Sequence, residues 1–419
     1  MDKILVHGGP RLTGTVRISG SKNSALPILA ATLLTKEPCI IRRVPDLSDV
    51  HFLLQILSSL GAEVERASGT VQIKAEKIKT TAPYEIVRKM RASVCILGPL
   101  LGREKEATVS LPGGCVIGDR PIDLHLRGFE ALGAAVRIQS GDVKLFASRL
   151  IGNTVNLSGK FGSTVLGTGN VLMAAVLAEG TTVIDGAAEE PEVVDLANFL
   201  IKMGAKIEGA GTHRIVVEGV EELHGAEHDV IPDRIEAGTF LAAAAIAGDD
   251  VNITRLDPSH LVAVTDALIA AGHHLEIEAT SIRVKANGAG KSLEICTEPY
   301  PGFPTDMQAQ MCALLATTDG LSTVTDNVFP QRFMHISEMK RMGAQAHLEA
   351  STAVIRGVER LSAAPVMASD LRASAALVLA GLQAEGITEI NRVYHIDRGY
   401  ESIDEKLNNL GAQIERVKA

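Results

Sequence analysis

Residues 57–65 read LSSLGAEVE, and a phrase of the same kind occurs six times along the 419-residue chain. It returns as FEALGAAVRI at 129–138, LIKMGAKIE at 200–208, LIAAGHHLEIE at 268–278, MKRMGAQAHLE at 339–349 and LNNLGAQIE at 407–415. The shared glycines, which lie 68 to 72 residues apart, are Gly61, Gly133, Gly204, Gly272, Gly343 and Gly411. A regular spacing of this size indicates six copies of one structural unit.

Each phrase predicts a helix that ends at its glycine, because glycine readily adopts the left-handed conformation that closes a helix. The alternation of apolar and polar residues after the glycine predicts a half-buried strand. A second apolar helix begins roughly forty residues before each glycine, and a β-branched stretch lies between the two helices. The upstream apolar segments read SALPILAATLL, ASVCILGPLL, STVLGTGNVLMAAVLA, AGTFLAAAAIA, QAQMCALLATT and ASAALVLAGL.

The unit therefore reads β-α-β-α-β-β, and the fold class is α/β, since parallel strands joined by helices need crossover connections. Strands alternate with helices, so a purely helical solenoid is excluded. Two domains with three units each are the economical arrangement for 419 residues. The boundary is expected within GVEELHGAEHDVIPD at 219–233, and the strand at 3–8 could pair with either domain.

Composition narrows the class of function. The net charge is −9 and there is no run of basic residues, which argues against nucleic-acid and anionic-membrane surfaces. Aromatic residues make up 3%, too few for base-stacking platforms. The beginning MDKILVHGG does not resemble a signal peptide, and the apolar stretches are shorter than a bilayer span. Five cysteines without a CxxC pair favour a reduced, cytoplasmic protein without disulfide bonds or structural zinc.

Two loops in each unit lead from a strand into a helix, and helix N-termini attract anions. Several of these loops carry a cation, although the helix dipole disfavours positive charge there. Either each cation has a carboxylate partner elsewhere, or together they bind one polyanionic ligand between the domains. The number of such cations favours the ligand. The six cations are Lys22, Arg91, Arg120, Arg332, Arg372 and Arg398.

Cys115 lies in LPGGCVIGDRPID, a loop rich in glycine and proline, whereas the other four cysteines are interpreted as core residues. A thiol with an ordinary pKa of about 8.5 can act as a general acid, or as a nucleophile if Arg120 lowers that pKa. Asp306 follows GFPT at a helix start, where an acid either caps the helix or acts as a general base. The paired histidines His224, His228, His273 and His274 are interpreted as surface residues and not as metal ligands.

Five motifs in order, GSKNSALPILAATLL, LPGGCVIGDRPIDLH, PDRIEAGTF, GFPTDMQAQ and YHIDRGYE, closely resemble the UDP-N-acetylglucosamine 1-carboxyvinyltransferase branch of the enolpyruvyl transferase family. The resemblance covers essentially the whole chain. It implies a two-domain inverted α/β barrel with three repeats per domain. The first domain is then 22–229 and carries the Cys115 loop, and the second is 1–21 plus 230–419.

The resemblance also implies the site. Lys22 and Arg120 would bind the phosphate of phosphoenolpyruvate with Arg398 close by, Arg332 and Arg372 would bind its carboxylate, and Arg91 would belong to the same pocket. Asn23 and Asp306 would bind the sugar, Asp306 would accept the proton of its 3-hydroxyl, and Asp370 would be a supporting carboxylate. The remaining nucleotide-sugar contacts would be Arg120, Pro121, Ile122, Asp123, Leu124, Lys160, Phe161, Gly162, Ser163 and Val328.

The implied reaction transfers the enolpyruvyl group of phosphoenolpyruvate to UDP-N-acetylglucosamine, the first committed step of peptidoglycan synthesis, without a cofactor or metal. Cys115 would deliver a proton and can form a phospholactoyl adduct in this family, and fosfomycin would alkylate it. The nearest alternative is transfer to shikimate 3-phosphate, which the Gly-Gly-Cys115 phrase disfavours. A non-enzymatic repeat scaffold would not need six cations and two acids at matching loops.

Overall fold

A computed structural model describes residues 2–111, 122–288 and 290–418. By its contacts this part of the chain forms two compact units. The N unit comprises residues 20–111 and 122–231, and the C unit comprises residues 2–19 together with 232–288 and 290–418. Each unit has a hydrophobic core of its own, built mainly from Ala, Leu, Ile and Val.

The N unit contains three inner helices, whose residues are almost all buried, and three outer helices with one buried face. The inner helices are Lys22–Ala31, Leu97–Glu104 and Val165–Ala175, and the outer helices are Ser48–Leu60, Asp123–Ala131 and Pro191–Lys202. Shorter helical segments are Thr32–Leu34, Tyr84–Val87 and Arg91–Ile96. The strands are Cys39–Arg42, Glu63–Ala67, Thr70–Lys74, Glu106–Ser110, Ala135–Gln139, Asp142–Phe146, Thr154–Asn156, Thr181–Asp185, Lys206–Glu208, Arg214–Glu218 and Glu227–Asp229.

The C unit repeats this plan. Its inner helices are Arg234–Ala247, Gln308–Leu315 and Leu371–Leu382, and its outer helices are Val262–Ala270, Met334–Arg341 and Ile403–Asn409. Short 3-10 helices are Pro258–Leu261, Thr305–Met307 and Val393–Arg398. The strands are Lys3–His7, Leu12–Arg17, Gly248–Thr254, His274–Ile277, Ser281–Lys285, Glu294–Thr297, Leu321–Asp326, Gln345–Glu349, Thr352–Arg356, Leu361–Ser362, Pro365–Met367, Ala384–Glu385, Ile387–Asn391 and Gln413–Val417.

The third repeat shows how a small sheet forms around a crossover helix. In the third repeat, Thr154–Asn156 pairs in parallel with Thr181–Asp185, and the inner helix Val165–Ala175 connects them. Arg214–Glu218 and Lys206–Glu208 then complete the sheet in antiparallel orientation. Inner helices of the same unit pack against one another, and the strands alternate buried with exposed side chains. The predicted α/β fold of six repeats is therefore confirmed.

The six repeated glycines all adopt the left-handed conformation, with φ between 87° and 110°. At the first of them, the Gly61 N–H donates to the Ser58 carbonyl and the Ala62 N–H donates to the Leu57 carbonyl. The same pair of bonds closes the outer helix at the other five glycines. These bonds satisfy carbonyl groups that a helix end would otherwise leave without partners.

Two strands do not pair with the repeat that follows them in sequence. Leu12–Arg17 precedes the first inner helix, yet it pairs in parallel with Gly248–Thr254 of the C unit. Glu227–Asp229 precedes the fourth inner helix, yet it pairs in parallel with Cys39–Arg42 of the N unit. The strand Lys3–His7 lies between the antiparallel Ile387–Asn391 and Gln413–Val417 and completes the last sheet of the C unit.

Some sequence-based interpretations of single residues were wrong. Cys296 is exposed, although it was assigned to the core with Cys39, Cys95 and Cys312, which are buried. His228 and His273 were interpreted as surface residues, but both are buried. His228 is buried within the N unit and His273 within the C unit. Among the described helices, none is long and apolar enough to cross a membrane.

Candidate functional site

The C unit holds a compact cluster of opposite charges around Asp306. Oδ1 of Asp306 lies 2.7 Å from Nη1 of Arg332, and Oδ2 lies 3.2 Å from both Nε and Nη2 of Arg372. The side chains of Arg332 and Arg372 are 7% and 1% exposed, whereas that of Asp306 is 26% exposed. The carboxylate is thus the more exposed part of a site whose guanidinium groups are buried.

The backbone around Asp306 is held from two sides. Asp306 lies in the 3-10 helix Thr305–Met307, and its carbonyl accepts a hydrogen bond of 2.9 Å from Nε2 of Gln310. Oδ2 of the fully buried Asp326 accepts a hydrogen bond from the Thr305 hydroxyl at 2.7 Å. Oδ1 of Asp326 accepts the N–H of Val328 at 3.0 Å, so one carboxylate joins the Val328 loop to the Asp306 segment.

Arg372 is anchored beneath this cluster. It is the second residue of the inner helix Leu371–Leu382, whose N-cap is Asp370, and Oδ1 of Asp370 accepts the Arg372 N–H at 2.9 Å. The guanidinium carbon lies 5.1 Å from the centre of the buried Tyr400 ring. Burial opposes the charged form, but Tyr400 and Asp306 outweigh it and raise the pKa of Arg372. Arg372 therefore remains a fixed positive charge.

Arg332 makes a similar set of contacts. Burial opposes its charge, but Asp306 and Asp370 outweigh this effect and raise its pKa. Nη2 of Arg332 lies 3.9 Å from Oδ1 of Asp370, and the guanidinium carbon lies 5.9 Å from the Phe329 ring centre. Burial and the positive charge of Arg398 lower the pKa of His395, against an opposing effect of Asp370.

The N unit carries Lys22 and Asn23 at the first two positions of an inner helix. Ser21 caps this helix by accepting the N–H of Ser24. Nζ of Lys22 lies 3.2 Å from Oδ2 of Asp49, and these side chains are 11% and 2% exposed. Asp49 stands in the first turn of the outer helix Ser48–Leu60, so the two helices of the first repeat share this ion pair.

Arg91 begins the 3-10 helix Arg91–Ile96, which the buried Asn170 anchors. Nδ2 of Asn170 donates to the Val94 carbonyl at 2.9 Å, and Oδ1 accepts the Gly98 N–H at 2.9 Å. Nδ2 also lies 2.9 Å from Nδ1 of His125. Asn170 thus connects the segment that carries Arg91 to the outer helix Asp123–Ala131.

Some of the residues that are expected to contact the nucleotide-sugar form one surface in the N unit. Lys160 and Phe161 are exposed at the tip of a tight loop, where Gly159 and Gly162 exchange backbone hydrogen bonds. A side chain at Gly159 would meet Leu124 at 2.9 Å, so the loop packs on the first turn of the outer helix Asp123–Ala131. In the same stretch Ile122 is buried, Asp123 is exposed and Ser163 is half-buried.

The structure therefore assembles the sequence-predicted residues into clusters within each unit. Lys22, Arg332 and Arg372 each contact a carboxylate of the protein. Arg332 and Arg398 precede a helix and do not begin one. Cys115, Arg120 and Pro121 lie outside the described residues.

Several residues that hold these clusters together were not predicted from the sequence: Asp49, Asn170, Gln310, Asp326 and Tyr400. Only Asp49 carried a signal, because a cation at a helix start calls for a nearby carboxylate. In the described residues no group of three or more His, Cys, Asp and Glu side chains is arranged to hold a metal ion.

Comparisons with known proteins agree with this architecture. Residues 6–407 match the family model of EPSP synthase (3-phosphoshikimate 1-carboxyvinyltransferase). The UDP-N-acetylglucosamine 1-carboxyvinyltransferase of Akkermansia muciniphila is 62% identical, over 100% of this chain and 99% of the relative. That of Methylacidiphilum infernorum is 59% identical over the same shares of the two chains.

Solved structures show the same fold. The enolpyruvyl transferase NikO from Streptomyces tendae superposes with a TM-score of 0.90 at 26% identity, covering 100% of this chain and 99% of NikO. EPSP synthase from Acinetobacter baumannii superposes with a TM-score of 0.76 at 17% identity over the full length of both chains. The chain therefore belongs to the enolpyruvyl transferase family, in its branch of UDP-N-acetylglucosamine 1-carboxyvinyltransferases.

Proposed function

We propose that this enzyme transfers the enolpyruvyl group of phosphoenolpyruvate to the 3-hydroxyl of UDP-N-acetylglucosamine and releases phosphate. The names of relatives that are 52–62% identical over the full length support this substrate pair. The observation that carries the proposal is the cluster of Arg332, Asp306 and Arg372, which combines two fixed guanidinium groups with one carboxylate. Such a cluster suits an anionic substrate and a hydroxyl that must lose its proton.

The reaction proceeds by addition and then elimination. The sugar 3-oxygen forms a bond to C2 of phosphoenolpyruvate while its proton passes to Asp306. The Cys115 thiol gives a proton to C3, which produces a tetrahedral phospho-ketal. The C2–O bond to phosphate then breaks, C3 loses one proton back to the enzyme, and the vinyl ether of the product forms. Positive charge from Lys22, Arg120 and Arg398 stabilises the phosphate as it leaves.

In this proposal the remaining residues bind the two substrates. Arg332 and Arg372 bind the carboxylate of phosphoenolpyruvate, Arg91 supplies further positive charge for this substrate, and Asp370 is a supporting acid. The surface formed by Leu124 and the Lys160 loop supports a role in holding the nucleotide-sugar. The sugar-nucleotide contacts would be Asn23, Arg120, Pro121, Ile122, Asp123, Leu124, Lys160, Phe161, Gly162, Ser163 and Val328.

The product is the first committed intermediate of peptidoglycan, so the enzyme would serve cell wall synthesis, cell shape and division in the cytoplasm. The decisive assay measures phosphate released from phosphoenolpyruvate with either UDP-N-acetylglucosamine or shikimate 3-phosphate as acceptor. We expect release with the sugar nucleotide alone. Release with shikimate 3-phosphate alone would overturn the proposal in favour of the other branch of the family.

A further inference from the structure

Arg332 and Arg372 serve two carboxylates under the proposed function, on which this inference rests. In the structure both oxygens of Asp306 already contact them, at 2.7 Å and 3.2 Å. The same two guanidinium groups are assigned to the carboxylate of phosphoenolpyruvate. Nη1 of Arg332 and Nε of Arg372 already donate to Asp306, so a substrate carboxylate that takes these directed N–H groups competes with it.

The contacts also bear on Asp306 as a base. A carboxylate whose two oxygens both accept charge-assisted hydrogen bonds is stabilised in its ionised form. It accepts a proton from a sugar hydroxyl less readily than a carboxylate released from such contacts. The arrangement with both arginines on Asp306 is therefore poor for catalysis, and a second arrangement is needed for the reaction.

We propose that the carboxylate of phosphoenolpyruvate displaces Asp306 from Arg332 and Arg372, and that this exchange releases Asp306 to act as the base. The substrate would thereby activate the residue that deprotonates its reaction partner. The base would be available only when the enol to be attacked is bound.

The packing indicates that the aspartate moves and the arginines stay. Arg372 is 1% exposed and lies over the Tyr400 ring, and Arg332 lies near Phe329 and 3.9 Å from Asp370. These contacts keep both guanidinium groups in place when Asp306 leaves. The Asp306 side chain is 26% exposed, and its rotation requires no change of the turn that carries it.

Gln310 holds the backbone of Asp306 in place, so that only the Asp306 side chain moves in the exchange. Its Nε2 holds the Asp306 carbonyl at 2.9 Å and also lies 3.2 Å from the Tyr400 hydroxyl and 3.1 Å from that of Thr239. The backbone of Asp306 is thereby tied to a fully buried group of side chains. The exchange is thus a rotation of one side chain on a fixed support.

Calorimetric titration of phosphoenolpyruvate tests the exchange. The full-length chain is used in a Cys115→Ala background, so that no adduct forms at that thiol, with Asp306→Asn as the variant. Because the competing charge is removed, we expect Asp306→Asn to bind phosphoenolpyruvate about tenfold more tightly. Inorganic phosphate, which lacks a carboxylate, is expected to bind both proteins with affinities within about twofold of each other.

Asp266→Asn is the matched control, because Asp266 is exposed on the outer helix Val262–Ala270 and its replacement removes the same charge. It is expected to leave both affinities unchanged. Equal or weaker binding of phosphoenolpyruvate by Asp306→Asn would overturn the exchange. Equal tightening for phosphate would also overturn it, because the effect would then be one of net charge. Absence of phosphoenolpyruvate binding by every protein would instead contradict the proposed function.

A thermal unfolding series covers the risk that Asp306→Asn is unstable, and Asp306→Ala is measured beside it. Both variants leave two buried guanidinium groups without this carboxylate, so their unfolding temperatures should be lower than that of the parent. Phosphoenolpyruvate should raise the unfolding temperature of both variants more than that of the parent, since it supplies the missing carboxylate. An equal or smaller rise in the variants would count against the exchange.

Discussion

Nε2 of His228 lies 2.8 Å from Oδ1 of Asp195, and both side chains are buried. The other oxygen of Asp195 accepts hydrogen bonds from the Ser24 hydroxyl and from the Ile231 N–H. Asp195 belongs to the outer helix of the third repeat, and Ser24 lies in the first turn of the inner helix that begins with Lys22. One carboxylate thus joins the third repeat to the first. Asp195 separates the serine from the histidine, so this group does not form a nucleophile–base pair.

We expect Asp195→Ala to lower the free energy of unfolding by about 3 kcal/mol, because it leaves the buried Ser24 and His228 and the half-buried Ile231 N–H without their acceptor. Ser24→Ala removes one donor and should cost about 1 kcal/mol. Urea unfolding followed by far-ultraviolet circular dichroism measures both values. If Asp195→Ala is no more destabilising than Ser24→Ala, the Asp195 carboxylate does not hold the first and third repeats together.

Tyr400 offers a test of how Arg372 is held. Tyr400→Phe keeps the ring but removes the hydroxyl that lies 2.9 Å from the Thr239 hydroxyl, so stability should fall by about 1 kcal/mol. Tyr400→Leu also removes the ring under the guanidinium group, a contact worth about 2 kcal/mol when desolvated. We expect the KM for phosphoenolpyruvate to rise about tenfold in Tyr400→Leu and less than about threefold in Tyr400→Phe. Steady-state phosphate release gives both constants, and equal KM values would contradict this role for the ring.

The stability of the C unit should depend on pH through His335. Burial lowers the pKa of His335 to about 4, against a smaller opposing effect of Asp370. The unfolded chain binds a proton at this residue below about pH 6.5, whereas the folded chain does not. The contribution of the neutral His335 to the free energy of unfolding is therefore complete above about pH 6.5 and is lost progressively as the pH falls towards about 4.

Unfolding measured at several pH values for the parent and for His335→Gln checks this expectation. The free energy of unfolding of the parent should fall more steeply below pH 6.5 than that of the variant, by up to about 3 kcal/mol at pH 4. His347→Gln, which replaces an exposed histidine, serves as the control and should follow the parent. Identical slopes in the parent and in His335→Gln would show that His335 is not kept neutral by the fold.

Alkylation by fosfomycin tests the assignment of the reactive thiol. Burial raises the pKa of Cys39 to about 11 and that of Cys95 to about 12, and it raises the pKa of Cys312 as well. The exposed Cys296 also has a raised pKa, through desolvation and the nearby Glu298 and Asp326. Thiolates are the reactive form, so these four cysteines should not be labelled at neutral pH.

Intact mass should accordingly show one adduct on the parent chain and none on Cys115→Ala. Cys115→Asp should retain activity without labelling, because a carboxyl group can deliver a proton but is a poorer nucleophile. Equal labelling of parent and Cys115→Ala would remove Cys115 from the proposed chemistry.

Local patterns in the sequence were sufficient to predict the repeats. The left-handed glycines such as Gly61 and Gly411, the apolar helices before them and the alternating strands after them depend on neighbouring residues only. Because helix ends and strand alternation are short-range, their signals survive in the sequence without knowledge of the tertiary structure. The α/β class and the six units followed from these signals alone.

Pairing between distant segments was decided by the tertiary structure. The residues of Leu12–Arg17 and Glu227–Asp229 do not encode which sheet receives these strands. The alternation of apolar and polar residues in a strand shows which face of the strand is buried. It does not show which other strand pairs with its edge, because any partner leaves the same face buried.

The same limit applies to the charged residues. The order of residues shows which loops carry cations and acids, and the resemblance of the motifs assigned Arg332, Arg372 and Asp306 to one reaction. Only the tertiary structure brought Asp306 within 3.2 Å of both arginines and placed Tyr400 under Arg372. Coulomb and hydrogen-bond energies depend on distance and burial, and for residues far apart in sequence these quantities exist only once the chain has folded.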